Sequence, residues 1–245
     1  MIPLSSRCES SSSRQSWSLL ALIAVIACAL TGCATTQTSS SGTYHTDAYA
    51  ASSPSDVKVK VSLRAEMVYV MEGDRALLVT PCTIGTADHA TPTGSFHVTA
   101  KNPTKRSGEY GFWVNGSNAV PGAVGASPGP GYSYVGYPMA YWVEFAPGFG
   151  FHEGYVWPIP RSHGCLRLHP NAAEKFYELA QIGTPVEIAV SQPEDATIGR
   201  NVLHPSDYKD PDPPASEMIS PDFFNKPRDK DLLPAGTAPV VTARN

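Results

Sequence analysis

The segment from Phe151 to Pro170, FHEGYVWPIPRSHGCLRLHP, contains the residues best suited to covalent chemistry. It holds Cys165, with His163 two residues before it and Arg167 two residues after it. A thiol serves either as a small buried apolar residue or as a nucleophile, and its neighbours decide which. Imidazole and guanidinium groups favour the thiolate, which is the form that attacks carbonyl carbons. The segment therefore predicts a reactive cysteine.

A cysteine nucleophile needs a base within hydrogen-bonding distance, and two histidines could supply it. His163 would share a face with Cys165 if the segment were extended. His152 lies further upstream, and the proline-containing loop between them could fold back and bring it to the thiol. The spacing alone does not choose between the two. Gly164, directly before the thiol, lacks a side chain and would let a substrate approach closely.

Two other kinds of site fit this segment less well. Papain-like enzymes place the cysteine before its histidine, whereas here His152 precedes Cys165. A zinc site would use His152, His163, Cys165 and His169, but their spacing matches none of the common paired-ligand patterns. We therefore expect neither a metal ion nor another cofactor.

The overall composition argues against nucleic acid as a partner and does not favour any particular partner class. The chain has 245 residues and a formal net charge of −4. It contains no long basic run interleaved with aromatic residues, which a nucleic-acid interface would require.

Residues 1–32 are typical of a secretory signal. A basic start leads to an apolar run, LLALIAVIACAL at its centre, that is too short for a typical membrane span. The run ends in Leu30-Thr31-Gly32-Cys33, which resembles the lipobox of bacterial lipoproteins. The resemblance implies cleavage before Cys33, acylation of that residue and a lipid anchor in the periplasm or cell envelope. Ala34 at the next position favours the outer membrane by enterobacterial sorting rules; the alternative is an ordinary signal peptide with a chance cysteine.

The segment from 33 to 56 is rich in Ser, Thr and Ala and predicts a flexible tether between the lipid and a domain. If the signal is removed and Cys33 is lipidated, only Cys82 and Cys165 remain as thiols. A disulfide between them would consume the activated thiol. We therefore interpret Cys82 as a core or edge residue.

The remaining chain predicts one compact unit from 57 to 190 that is mainly β. Alternating Val and Lys from Val57 onwards predict a half-buried strand that opens a β-meander. The Gly- and Pro-rich stretch from 102 to 138 predicts a long functional loop. Apolar residues at helical spacing after Pro170 predict one short helix, and a final strand closes the unit. Residues 191–245 are rich in Pro and Asp and predict a peripheral or disordered tail.

Four ordered motifs are similar to those of the L,D-transpeptidase catalytic domain family. They are Ala90-Thr91-Pro92-Thr93-Gly94-Ser95-Phe96, Met139-Ala140-Tyr141-Trp142-Val143, His152 with Ser162-His163-Gly164-Cys165-Leu166-Arg167-Leu168, and Gly183-Thr184-Pro185-Val186. The resemblance implies a β-sandwich-like fold with one short helix after the catalytic loop. It also implies an exported enzyme acting on peptidoglycan stem peptides, in which a cysteine attacks the third stem residue, expels D-alanine and passes the acyl group to an amine.

The resemblance also assigns roles to the residues of the proposed catalytic pair. Cys165 would be the nucleophile and His152 the proton acceptor and donor. In most similar proteins the residue after this histidine is Gly or Ser, whereas here it is Glu153. Its backbone carbonyl could still orient the imidazole, so the role does not require the side chain.

The remaining site residues would bind or orient the substrate. Backbone N–H groups of Gly164 and Cys165 would stabilise the oxyanion, and Arg167 would bind the carboxylate-bearing end of the donor. For Arg167 the alternative is a structural hub of hydrogen bonds that braces the loop. Ser162 and His163 would lie at the edge of the substrate site.

Three functions remain open from the sequence. The first is transpeptidation, either cross-linking stems or attaching a protein to the wall. The second is hydrolysis by the same site, which would make the enzyme an L,D-carboxypeptidase. The third is a non-catalytic lipoprotein that binds peptidoglycan through a decayed site, although such a module needs no activated thiol.

Overall fold

The computed structural model describes residues 44–228 and 230–241. The predicted signal, the predicted lipidation site at Cys33 and the first part of the predicted tether lie outside the described residues. Ten strands are present: β1 Val57–Ser62, β2 Met67–Glu72, β3 Arg75–Thr83, β4 Gly94–His97, β5 Ala100–Asn115, β6 Asn118–Ala123, β7 Ser133–Ala146, β8 Phe149–Glu153, β9 Leu166–Leu168 and β10 Pro185–Ala189. The two α-helices of the described residues are α1 Pro170–Leu179 and α2 Ala215–Ile219.

The prediction of a mainly β domain with a short helix after the catalytic loop is confirmed. The strands join in the order β4-β10-β1-β2-β3-β9-β8-β7-β5-β6. Two of these pairings are parallel, β1 with β10 and β8 with β9. Helix α2, in contrast, was not predicted. Neither α-helix of the described residues has the length and apolar character of a membrane-spanning helix.

The core lies between the two halves of this strand order. Val57, Val59 and Val61 alternate into it from β1, as the period-two pattern predicted. Phe96 of β4, at one end of the strand order, contacts Phe145 of β7 in the other half, with ring centroids 5.3 Å apart, so the two halves face each other. Each half thereby covers the apolar face of the other, which is the arrangement of a sandwich-like fold. Cys82 of β3 is fully buried and unpaired, as a core residue should be.

The stretch from 102 to 138 is not a loop, which corrects our prediction. It forms most of β5, β6 and the start of β7, a long antiparallel ribbon whose residues are mostly exposed or half-buried. A ribbon exposed on both faces shows no apolar alternation, so the period-two signal is absent. Its glycines mark close backbone contact: a Cβ on Gly111 would lie 2.3 Å from the Val135 carbonyl oxygen.

Parts of the predicted tether and tail pack against the domain. Ala48, in the predicted tether, is fully buried and forms a β-bridge with Leu78. The backbone N–H of Leu233 donates to Ala48, and that of Val241 donates to Asp74. Extended segments can dock in this way through backbone hydrogen bonds without an apolar sequence signal. The described residues of the predicted tail thus lie at the periphery of the domain, which is one of the two alternatives expected, and they make specific contacts with it.

Candidate active site

Two adjacent parallel strands position the predicted nucleophile and base. Strand β8 carries His152, strand β9 carries Arg167, and the two residues are register partners. Cys165 directly precedes β9, two positions before Arg167. Because side chains alternate along extended backbone, Cys165 and Arg167 point to the same face as His152. The topology therefore brings the three predicted residues together on one surface of the sheet.

The imidazole of His152 is oriented by the next residue in the chain. Its Nδ1 lies 2.7 Å from the backbone carbonyl oxygen of Glu153, which can only accept a hydrogen bond. Nδ1 therefore carries the proton, and Nε2 keeps a lone pair for accepting a proton. This is the contact that the expected backbone role of Glu153 requires.

Burial and a neighbouring cation keep this histidine neutral. The side chain is buried, and this burial, together with the charge of Arg167, lowers the pKa of His152 to about 4, although the hydrogen bond to Glu153 acts in the opposite direction. A neutral imidazole at neutral pH is the form that can act as a general base.

The thiol of Cys165 is also uncharged in the resting site, which differs from the sequence expectation. Burial raises the pKa of the Cys165 thiol, while a hydrogen bond with the Gly150 backbone and the charge of Arg167 lower it. The Sγ atom lies 3.7 Å from the Gly148 carbonyl oxygen, to which the thiol can donate. The guanidinium thus offsets the burial only in part. The pair rests as thiol and imidazole, and the proton must move during attack.

The Ser162 hydroxyl bridges the backbone on either side of the nucleophile. It donates to the carbonyl oxygen of Cys165 at 2.6 Å and accepts from the N–H of Gly164 at 3.1 Å. Ser162 is buried, so its predicted place at the substrate edge is better described as support within the loop. The Gly164 N–H, predicted to face the oxyanion, is therefore already occupied. Within the described residues the Cys165 N–H has no protein acceptor, so it is the better oxyanion donor.

Thr91 connects the catalytic loop to the end of β3. Its Oγ1 accepts from the N–H of Gly85 at 2.9 Å and donates to the carbonyl oxygen of Gly164 at 3.0 Å. The loop is also held by hydrogen bonds from Arg161 and Ser162 to the Ile84 carbonyl, each 3.0 Å long. Sequence reasoning found the motif that contains Thr91 but not this function of its hydroxyl.

Arg167 is a partly buried cation with a free guanidinium. Its side chain packs along Gly154, where an added Cβ would lie 3.2 Å from the Arg167 Cδ. Burial lowers the pKa of Arg167, and the nearby Cys165 raises it. Across residues 44–228 and 230–241 it makes no ion pair or side-chain hydrogen bond. The structural-hub alternative requires such bonds, whereas a carboxylate-binding role leaves them available.

His163 packs between two other rings. Its ring stacks on Tyr110 of the ribbon and meets His89 edge-on, with centroids 4.6 Å apart in both cases. Burial and the charges of His89 and Arg167 lower the pKa of His163. It is exposed, which suits a residue at the substrate edge better than a base.

The residues of the rejected zinc set have separate roles. His169 caps helix α1, where its Nδ1 accepts from the Asn171 N–H at 3.1 Å, and its Nε2 lies 3.5 Å from Asp207. In the part of the chain that the structure describes, no three His, Cys, Asp or Glu side chains form a group that could hold a metal ion.

The Glu153 side chain forms a contact that sequence reasoning missed. Its carboxylate pairs with the guanidinium of Arg228, through Nε to Oε2 and through Nη2 to Oε1 at 3.1 Å. Both side chains are almost fully buried. Arg228 lies in the segment that we had predicted to be a tail, so no local pattern could have revealed the pair.

Comparison with known proteins identifies similar sequences. A model of the L,D-transpeptidase catalytic domain (YkuD) matches residues 56–188, more than half of the chain. L,D-transpeptidase 1 of Mycobacterium tuberculosis is 27% identical over 129 residues, which cover 52% of this chain and 48% of that protein. The chain therefore spans about half the length of the curated relative it matches.

Solved structures show similar matches. A crystal structure of an L,D-transpeptidase from Stackebrandtia nassauensis is 24% identical, with a TM-score of 0.40 and coverage of 60% of each chain. An L,D-transpeptidase from Mycobacterium smegmatis is 19% identical, with a TM-score of 0.41 and coverage of 55% of this chain and 58% of that one.

Proposed function

The chain belongs to the L,D-transpeptidase catalytic domain family, and from this we propose that it is an exported cysteine transpeptidase acting on peptidoglycan stem peptides. The observation that carries the proposal is that His152 and Arg167 are register partners on adjacent parallel strands. Cys165 lies two residues before Arg167 in the chain. This register supplies a nucleophile, a base and a carboxylate-binding cation on one face.

The first half of the proposed reaction forms an acyl-enzyme. The Cys165 Sγ attacks the carbonyl carbon of the third stem residue while His152 Nε2 accepts the thiol proton. The Cys165 N–H stabilises the oxyanion of the tetrahedral intermediate. This intermediate collapses by breaking the amide bond to the terminal D-alanine, whose amine takes the proton from His152. The product is a thioester on Cys165 and free D-alanine.

The second half transfers the acyl group. An amine from a second stem, or from a protein, loses its proton to His152 as its nitrogen attacks the thioester carbon. The thiolate leaves and recovers the proton, and a new amide bond replaces the thioester. Water in place of the amine would give the carboxylic acid, which is the hydrolytic alternative.

We also propose that Cys33 carries the lipid anchor and that the enzyme works from the outer membrane. The lipobox at Leu30–Cys33 supports this proposal. Metabolic labelling with a clickable fatty acid should modify the wild-type chain and leave Cys33→Ser unmodified. Equal labelling of both proteins would contradict a lipid anchor at this position.

The test of the reaction uses full-length protein, purified tetrapeptide stems and mass spectrometry. Wild type, Cys165→Ala and His152→Ala are compared, with Ser127→Ala, an exposed turn residue, as the control. We expect wild type and the control to release D-alanine and form cross-linked dimers, while the other two variants fail. Tripeptide without dimers would favour hydrolysis. Absence of both product and an acyl-enzyme mass on Cys165 would contradict catalysis and favour a binding module.

A further inference from the structure

The Glu153–Arg228 pair joins the C-terminal segment to the residue that orients His152. The side chains of Glu153 and Arg228 are 9% and 3% exposed, so the pair is shielded from solvent on both sides. A shielded, two-point contact between guanidinium and carboxylate fixes both position and orientation. Arg228 therefore holds Glu153 in one conformation.

The remaining donors of the Arg228 guanidinium are also used. Nη1 donates to the carbonyl oxygens of Lys226 at 2.7 Å and Phe224 at 3.5 Å, and Nη2 donates to that of Phe223 at 3.2 Å. The guanidinium also lies over the Tyr141 ring, 5.5 Å from its centroid. A cation bound on every side in this way is a fixed point and not a mobile surface charge.

Backbone pairing holds Glu153 on one side only, where the Gly154 N–H of the same peptide unit donates to the Leu168 carbonyl oxygen at 2.8 Å. On the β9 side it is the register partner of Leu168. On the other side, the pairing of β7 with β8 reaches no further than Phe151. Tyr141 has a φ of 56°, which interrupts the extended backbone of β7 at this level. Arg228 holds the Glu153 side chain at the level where β7 leaves the Glu153 backbone unpaired.

We propose that Arg228 is a positioning residue for the catalytic histidine: by holding the Glu153 carboxylate, it fixes the Glu153 carbonyl that orients the His152 imidazole. We call this chain of contacts the relay: it runs from Arg228 to the Glu153 carboxylate, and from the Glu153 carbonyl oxygen to Nδ1 of His152, which lies 2.7 Å away. A loosened Glu153 would let the imidazole turn, and misplacement of a catalytic group by about 1 Å can cost a hundredfold in rate. The proposal takes His152 as the base and so rests on the proposed function.

The relay predicts a change in the titration of His152 when it is broken. The groups acting on this imidazole are the Arg167 charge from β9, the Glu153 backbone carbonyl on its own strand and the Trp142 ring from β7, while Cys165 lies on the same face of the sheet. Burial is the largest cause of the low pKa of His152. Loosening the site would hydrate the ring, which raises the pKa of His152, and would weaken the hydrogen bond to the Glu153 carbonyl, which lowers it. Because burial is the largest cause of the low pKa, hydration outweighs the lost hydrogen bond and the pKa rises.

The test measures alkylation of Cys165 by iodoacetamide across pH, followed on the Cys165 peptide by mass spectrometry in the full-length protein. This readout needs no stem peptide. We compare wild type, Arg228→Met, Arg228→Lys and His152→Ala. Arg228→Lys keeps the charge but lacks the two-point fork, so it tests the relay if Arg228→Met fails to fold. We expect both Arg228 variants to shift the rate profile towards that of His152→Ala.

A matched control separates positioning of the histidine from anchoring of the segment. Arg106 binds the same C-terminal segment through the carbonyl oxygens of Met218 at 2.8 Å and Ser220 at 2.9 Å, without touching Glu153. Arg106→Met should therefore leave the alkylation profile of Cys165 unchanged. An equal shift in Arg106→Met, or no shift in either Arg228 variant, would overturn the relay.

A second readout separates the relay from the proposed function. We expect Arg228→Met to lower the kcat for D-alanine release about tenfold or more, with little change in KM, because orientation and not binding is lost. If wild type releases no D-alanine while the Arg228 variants still shift the alkylation profile, the proposed function fails and the relay stands. If wild type is active and the Arg228 variants match it in both readouts, the relay alone fails.

Discussion

The backbones of Gly85 and Gly164 pack directly against each other: a Cβ built on Gly85 would lie 2.9 Å from the Gly164 Cα. The contact places the residue before the nucleophile on the extension of β3, where Thr91 bonds to both glycines. The position of Cys165 is therefore set by the core strand beneath it as well as by β9. Any side chain at this contact would displace the thiol.

Gly164→Ala should abolish most activity and destabilise the fold. Gly164 has a φ of +104°, and an added Cβ would meet the Phe149 ring at 2.5 Å. The left-handed backbone alone costs an alanine about 1–2 kcal/mol, and the clash must also move the loop. We expect D-alanine release to fall about a hundredfold and the free energy of unfolding from urea titration to fall by more than the backbone cost.

Gly183→Ala is the matched control for this variant. Gly183 has a φ of +89°, but nothing lies within 4 Å of its added Cβ. It should lose about 1–2 kcal/mol of stability and keep its activity. Equal loss of activity in both alanine variants would show that the contact with the catalytic loop is unimportant.

Ser162→Ala should impair the oxyanion site more than it alters the overall fold. The change leaves the Gly164 N–H and the Cys165 carbonyl without their buried partner. An unsatisfied buried group costs about 1–3 kcal/mol, and here the unsatisfied groups belong to the nucleophile and the residue before it. We expect a lower acylation rate of Cys165 by a carbapenem, measured by mass spectrometry. Ser127→Ala, in an exposed turn, should match wild type, and an unchanged rate in Ser162→Ala would contradict the assignment.

The catalytic residues were predictable because they lie close together in the chain, whereas their supports do not. Cys165, His152 and Arg167 belong to one short segment, and alternation along extended strands suffices to place them on one face. The buried partner of Glu153 comes from Arg228, 75 residues away. A periodic sequence pattern cannot predict such a contact, because the contact depends on where the segment after β10 docks.

Arg167→Met should weaken binding of the donor with little effect on stability. The guanidinium makes no ion pair in the described part of the chain, so its loss leaves no protein carboxylate stranded. A hydrogen bond to a charged group contributes about 1.5–3 kcal/mol, which corresponds to about 10–100-fold in kcat/KM. The loss should shrink with a donor whose diaminopimelate carboxyl is amidated. A large fall in the free energy of unfolding instead would support the structural-hub alternative.

Polar contacts explain why composition did not reveal how the C-terminal segment binds the domain. Asp195 lies beyond the predicted domain end, yet its carboxylate accepts from the Ser62 hydroxyl at 2.7 Å and the buried Tyr69 hydroxyl at 2.8 Å. A Pro- and Asp-rich sequence normally indicates disorder because it has little apolar surface to bury. Here the polar groups are themselves buried partners of the core strands, which composition does not reveal.

Asp195→Ala should therefore lower stability although it lies outside the predicted domain. It leaves the Tyr69 and Ser62 hydroxyls without their acceptor, at a cost of about 1–3 kcal/mol for each group. Urea titration should show a smaller loss for Asp195→Ala in a Tyr69→Phe background, where one hydroxyl is already absent. Equal losses in the two backgrounds would mean that the hydrogen bond to Tyr69 contributes nothing.

The resting charge state of the catalytic pair predicts a broad pH profile. Burial and Arg167 lower the pKa of His152 to about 4, and burial raises the pKa of the Cys165 thiol. The active form, neutral imidazole with thiol, is therefore lost on the acid side only as pH falls through about 4, and on the alkaline side only above the usual thiol range. The kcat/KM for D-alanine release should be level between these limits.

In Arg167→Met, which lacks the charge that lowers the pKa of His152, the acid limb of this pH profile should move to higher pH. A narrow bell with an acid limb near the ordinary histidine pKa would instead indicate a thiolate–imidazolium pair, and the resting state assigned here would be wrong.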